Sequence, residues 1–122
     1  MARVLIVDDS PTETFTLKSM LEAKGFEVLT AENGADGVAL AREELPDVVL
    51  MDIVMPGLNG FQATRQLTKD DKTAHIPVVI VTTKDQETDK VWGQRQGAKG
   101  YLVKPVTEDQ LAETINSVIA GE

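Results

Sequence analysis

Four apolar residues, Val48, Val49, Leu50 and Met51, run straight into one carboxylate, Asp52, and then into the turn Met55, Pro56, Gly57. A run that is apolar on both faces suits a central parallel strand covered by helices on each side. Pro fixes φ and Gly permits a positive φ, so the chain turns away and Asp52 stands where the strand ends. In open α/β sheets, ligands bind just outside the carboxyl ends of the strands. An acid at that place is a candidate nucleophile or metal ligand. The simpler alternative is a turn or helix N-cap aspartate.

The remaining segments fit the same architecture. Residues 4–7 are apolar and β-branched, bounded by Asp8 and Asp9, and read as a second buried strand. Ser10, Pro11 and Glu13 form a helix start in which Glu13 completes a capping box, and Gly25 is the stop. Residues 26–31 are a more polar strand, placed at an edge. Asn33 opens a second helix carrying Val38, Ala41 and Leu45, ended by Pro46. A third helix is predicted over 58–67 and a strand over 76–81, with Pro77 tolerated at its start.

Residues 86–96 form a weakly patterned fourth helix whose only large apolar residues are Val91 and Trp92. Residues 101–103 are a short fifth strand. Thr107 and Gln110 make a capping box ahead of Leu111, Ile115, Val118 and Ile119, the cleanest amphipathic helix in the chain. Five strands alternating with five helices predict a doubly wound, five-stranded parallel α/β sheet with right-handed crossovers.

The length of 122 residues suits one domain spanning 1–122, and no repeat, linker or low-complexity tract marks a second. The formal charge of −8 argues against a nucleic-acid partner, which needs a basic footprint. No apolar run approaches a membrane span and no signal peptide is visible, so a cytoplasmic location without membrane insertion is expected. Cysteine is absent, which excludes disulfides and thiolate metal sites.

In a parallel sheet all the carboxyl ends lie on one edge. Asp8 and Asp9 end the first strand, Asp52 the third, Thr82 and Thr83 the fourth, and Lys104 the fifth. If the first, third and fourth strands are neighbours, three carboxylates converge. Converging carboxylates raise one another's pKa unless a cation joins them. Magnesium suits such a set, since it takes hard oxygen ligands and binds through one or two carboxylates plus phosphate. Helix N-terminal electrostatics also favour acids at Asp8 and Asp9, but the gain is only about 0.3–1 kcal/mol each. A carboxylate can attack phosphorus to give an aspartyl-phosphate, and the transferred group then needs a metal, a cation and hydroxyl donors. Asp9 with magnesium, Lys104 and Thr82 are candidates for those roles.

These motifs are Val7-Asp8-Asp9-Ser10, Met51-Asp52, Pro56-Gly57, Val81-Thr82-Thr83 and Gly100-Tyr101-Leu102-Val103-Lys104-Pro105. Carrying them, the chain resembles the receiver domains of two-component response regulators over essentially residues 3–120. The resemblance implies the flavodoxin-like (βα)5 fold with strand order 2-1-3-4-5. It also implies that Asp52 is the phosphoacceptor. Asp9, Asp52 and the carbonyl of Val54 would ligate Mg2+ directly, with Asp8 acting through water. Thr82 and Lys104 would hold the phosphoryl oxygens, Tyr101 would be the aromatic switch moving with Thr82, and the Lys104–Pro105 bond would be cis.

Within the family, residues 52–70 and 82–105 look most like the stand-alone regulators of type IV pilus twitching motility, which serve a chemotaxis-like system. The implied protein is a monomer with no output domain. It would be phosphorylated by a CheA-like histidine kinase and signal to a protein target through the fourth helix, fifth strand and fifth helix. Two positions depart from flagellar chemotaxis regulators: Val54 lacks a polar side chain, and Lys84 replaces an acid.

Four other readings compete. The chain could be a flagellar chemotaxis regulator or a phosphate sink. An aspartate-nucleophile phosphatase of the haloacid-dehalogenase type wants an acid where Val54 stands. A flavin module would need a phosphate-cradling loop after the first strand, where Asp8 and Asp9 repel phosphate.

Overall fold

A computed structural model describes residues 2–121. Ten elements alternate: β1 (Arg3–Val7), α1 (Pro11–Ala23), β2 (Glu27–Ala31), α2 (Gly34–Glu44), β3 (Val48–Met51), α3 (Gly60–Lys69), β4 (Val78–Thr82), α4 (Glu87–Arg95), β5 (Gly100–Val103) and α5 (Glu108–Ile119). The strands form one parallel sheet in the order β2-β1-β3-β4-β5, as the resemblance implied.

The alternation of side chains along each strand sorts the core into two layers. Val4 and Ile6, Val48 and Leu50, and Val79 and Val81 face α1 and α5, where they meet Leu17, Leu21, Leu111 and Ile115. Leu5 and Val7, Val49 and Met51, and Val78 face the other way and meet Ala41, Ala63 and Leu67 of α2 and α3. The strand β3 is buried along its whole length, which is why its sequence shows no polar alternation.

Three helix caps bear out the sequence reading: Asn33 caps α2, Ser10 caps α1, and Thr107 with Gln110 forms the full capping box of α5. Gly25 takes φ +89° just past α1, a left-handed stop that a side chain would strain. The capping box expected at α1 is only half present. The Ser10 hydroxyl accepts from the Glu13 amide at 3.3 Å, but the Ser10 amide donates to Asp8 Oδ1 at 2.9 Å instead of to Glu13.

The strand β4 starts two residues later than expected. Ile76 sits in a turn closed by its own amide on the Thr73 carbonyl, and the ladder opens where the Pro77 carbonyl accepts from Val49. The helix α3 starts at Gly60, behind a capping box formed by Asn59 and Gln62. Val91 and Trp92 of α4 are both partly exposed, and the buried residue of that helix is Gly93. A Cβ at Gly93 would lie 2.6 Å from Ile80 Cδ1, so α4 approaches the sheet through a glycine.

Candidate functional site

Three backbone hydrogen bonds carry the ladder one residue past the strands and so set the site. Asp8 donates to the Ala31 carbonyl at 3.1 Å, Asp52 to Val7 at 3.0 Å and Lys104 to Thr82 at 2.8 Å. Asp8, Asp52 and Lys104 are therefore each the first residue beyond a strand, held at the edge of the sheet. The loop after Asp52 is fixed at its far end, where the Gly60 amide donates to the Ile53 carbonyl at 3.0 Å. Gly60 packs so tightly there that a Cβ would overlap the carbonyl oxygen of Asp52. Only glycine permits that approach.

Asp8, Asp9 and Asp52 each offer a carboxylate oxygen, and these three atoms lie within 4.8 Å of one another. Lys104 enters from β5. Its Nζ donates to Asp8 Oδ2 at 2.8 Å and to Asp52 Oδ2 at 3.4 Å. The remaining oxygens are also held: Asp8 Oδ1 by the Ser10 amide and Asp52 Oδ1 by the Ile53 amide at 2.7 Å. Asp8 is buried, Asp52 is half-buried and Asp9 is exposed.

The charges answer to this setting. Burial pushes the Asp8 carboxyl above its ordinary pKa, against the opposing pull of Lys104 and the Ser10 amide. Burial works against the Lys104 charge too, but the Asp8 hydrogen bond and the charges of Asp52, Asp8 and Glu13 outweigh it and hold the ammonium above its usual pKa. Lys104 is thus the cation that lets the carboxylates coexist.

Thr82 is fully buried at the end of β4. Its Oγ makes a long contact, 3.5 Å, with the Lys84 amide. Tyr101 does not reach the carboxylates; its hydroxyl donates to the Lys84 carbonyl at 2.8 Å. Val54, two residues past Asp52, is 56% exposed. Lys84 Nζ leans away to Asp89 Oδ1 at 3.9 Å. The Lys104–Pro105 bond is cis.

One residue at the site escaped the sequence reading. Glu13 Oε2 lies 3.6 Å from Lys104 Nζ, so the residue read as a helix cap is a third carboxylate around the lysine. Its place three residues after Ser10 offered a cap as the nearer explanation, and only the fold brings Lys104 to it.

As a donor set, three carboxylates with no nitrogen or sulfur ligand among them suit a hard divalent ion such as magnesium. A carboxylate that faces such a set and a buried ammonium can accept and shield a phosphoryl group.

The family model for the response regulator receiver domain matches residues 4–116. The chain belongs to the response regulator receiver domain family. This receiver is 75% identical over 121 residues to Protein PilH of Pseudomonas aeruginosa, covering 99% of this chain and 100% of that one. Among solved structures, the receiver is similar to Vibrio cholerae chemotaxis protein CheY4, with a TM-score of 0.90 and 33% identity, covering 97% of this chain and 98% of that one. It is also similar to the receiver domain of the Pseudomonas aeruginosa sensor histidine kinase PA1611, with a TM-score of 0.90 and 26% identity over 98% of each chain. That structure has a magnesium ion coordinated in its active site cleft. The receiver is a two-component signalling module and not a classical enzyme, and among the described residues no helix is long and apolar enough to cross a membrane.

Proposed function

We propose that this receiver takes a phosphoryl group from a histidine kinase onto Asp52 and converts it into a change of a protein-binding surface. The observation that carries the reading is the meeting of Asp8, Asp9 and Asp52 within 4.8 Å, with Lys104 3.4 Å from Asp52. A carboxylate oxygen of Asp52 attacks the phosphorus of the kinase phosphohistidine. The new acyl O–P bond forms as the P–N bond breaks, and the imidazole nitrogen leaves with the electron pair.

Asp9, Asp52 and the Val54 carbonyl are the proposed direct ligands of Mg2+, with Asp8 acting through water. When bound, the ion supplies positive charge opposite the phosphoryl oxygens. Lys104 supplies a fixed cation and the buried Thr82 hydroxyl a donor. Thr82 and Tyr101 both bond the backbone of Lys84, so a movement of Thr82 toward the phosphoryl group would pass through that loop to α4, β5 and α5, the proposed target surface. A ligand shifts such an equilibrium only by its differential affinity for the two states, and contacts to Thr82 and Lys104 provide that difference.

The 75% identity to PilH supports control of type IV pilus twitching in a chemotaxis-like system as the setting.

The test is phosphorylation by acetyl phosphate with magnesium, read by intact mass. One phosphoryl group is expected on the parent protein and none on Asp52→Asn. Labelling that persists in Asp52→Asn overturns the assignment. Trp92, the only tryptophan, is 49% exposed on α4, and its fluorescence should change when beryllofluoride binds.

A further inference from the structure

Glu13 stands at the third position of α1, where the sequence pattern assigns it to the helix cap, yet the cap has no use for its carboxylate. The Ser10 amide that it would accept from is already bonded to Asp8 Oδ1 at 2.9 Å. The Glu13 carboxylate turns instead to Lys104 Nζ, 3.6 Å away. Three carboxylates therefore surround one buried ammonium, at 2.8 Å for Asp8, 3.4 Å for Asp52 and 3.6 Å for Glu13.

Asp8 and Asp52 take hydrogen bonds from Lys104 Nζ and Glu13 sits at ion-pair distance, 3.6 Å, around an ammonium group with three N–H donors. A phosphoryl oxygen on Asp52 needs one of them. Asp8 and Asp52 are each held through their other oxygen by a backbone amide, from Ser10 and Ile53. Glu13 has no such tether: apart from Lys104, its carboxylate has no partner among the described residues, and its side chain is 46% exposed. It is the partner that can swing into water at little cost.

We propose that Glu13 is a positioning residue, a displaceable counter-ion that occupies Lys104 in the resting receiver and yields it to the phosphoryl group. Its charge then works in two opposite senses. It favours a cation in the carboxylate cluster, and it opposes an anion arriving at Asp52 by competing for Lys104 and by direct repulsion. This inference rests on Asp52 being the phosphoacceptor.

Glu13→Gln tests it, since glutamine keeps the size, loses the charge and suits the third position of a capped helix. Calorimetric titration with magnesium alone should show weaker binding, by about twofold. Titration with beryllofluoride at saturating magnesium should show tighter binding, by about two- to fivefold, the range for a partly exposed ion pair. Opposite shifts for cation and anion are a signature that damage to α1 does not produce, because damage weakens both. The beryllofluoride difference should shrink in about 1 M salt, where screening acts within about 3 Å. Glu22→Gln, near the other end of the same helix, should change neither affinity.

Affinities of Glu13→Gln equal to those of the parent, or shifted in the same direction, overturn the role of Glu13 while leaving Asp52 as the acceptor. A parent protein that takes up no phosphoryl group and binds no beryllofluoride at Asp52 overturns both readings.

Discussion

The hydroxyl of Tyr101 donates a 2.8 Å hydrogen bond to the backbone carbonyl of Lys84, tying β5 to the loop that leaves Thr82. The phenol is partly buried and sits near Asp89, Asp52 and Asp85. Desolvation first, and then these negative charges, push its pKa from 10.0 up to about 12.

Tyr101 is the only tyrosine in the chain, so the near-ultraviolet absorbance of tyrosinate reports it alone. The folded protein should titrate with a midpoint of about 12, and the urea-unfolded protein near 10.0. Because the folded pKa is raised, the contribution of Tyr101 to stability is complete below the unfolded pKa. It is lost as the pH rises from there through the folded value. A folded midpoint equal to the unfolded one would show the phenol free of this loop.

Lys104 joins the acids of the site, so its removal should have opposite effects with and without metal. Lys104→Ala leaves Asp8 buried without its 2.8 Å partner. In metal-free buffer this should cost about 2 kcal/mol, the order of one charged hydrogen bond. Magnesium no longer competes with the ammonium for Asp8 and Asp52, so its affinity should rise roughly tenfold, a change worth about 1.4 kcal/mol. Urea melts at several magnesium concentrations check both halves. The variant should still accept a phosphoryl group but lose the Trp92 response.

Phosphate lifetime should depend on Val54. Hydrolysis of an aspartyl-phosphate needs a water in line with the leaving Asp52 oxygen, and a valine side chain cannot hold one. Val54 stands 56% exposed beside the site, and Lys84, the other residue at this opening, is paired with Asp89. Val54→Asn should dephosphorylate faster than the parent, by up to about tenfold, a change of about 1.4 kcal/mol in the barrier. The decay of phosphorylated protein after removal of the donor measures this. Equal or slower decay in Val54→Asn would assign the lifetime to other residues.

Thr64 lies fully buried on α3, and its hydroxyl has no hydrogen-bond partner among the described residues. A buried polar atom without a partner carries its desolvation cost uncompensated. Thr64→Val keeps the branched shape and removes the hydroxyl. It should stabilise the fold by about 1 kcal/mol in a urea melt, without changing phosphoryl uptake.

The layered architecture was legible because its signals are local. The unbroken apolar run of β3, the caps at Ser10, Asn33 and Thr107, and the stop at Gly25 each state their own geometry. Asp8, Asp52 and Lys104 were legible because each follows directly on a strand, and Asp9 because it stands beside Asp8. What stayed hidden depends on distant partners. Glu13 satisfied a helix-start pattern, and nothing near it announces Lys104. Ile76 looked like strand, but the ladder waits for the Pro77 carbonyl, since proline has no N–H to give. Val91 and Trp92 were the only large apolar residues of α4, yet the helix meets the sheet through Gly93.

Gly60 has one more consequence. It presses the first turn of α3 against the carbonyl of Asp52, while the amide of Asp52 is bonded to Val7 on the other side. Asp52 is thereby gripped at both its amide and its carbonyl and behaves as the fixed jaw of a vice. Under the proposed function, what closes on a phosphoryl group travels from the opposite jaw, the β4 and β5 side that carries Thr82 and Lys104. Structures of this receiver in different ligand states are then best superposed on β3 and the start of α3, where the ruler itself does not stretch.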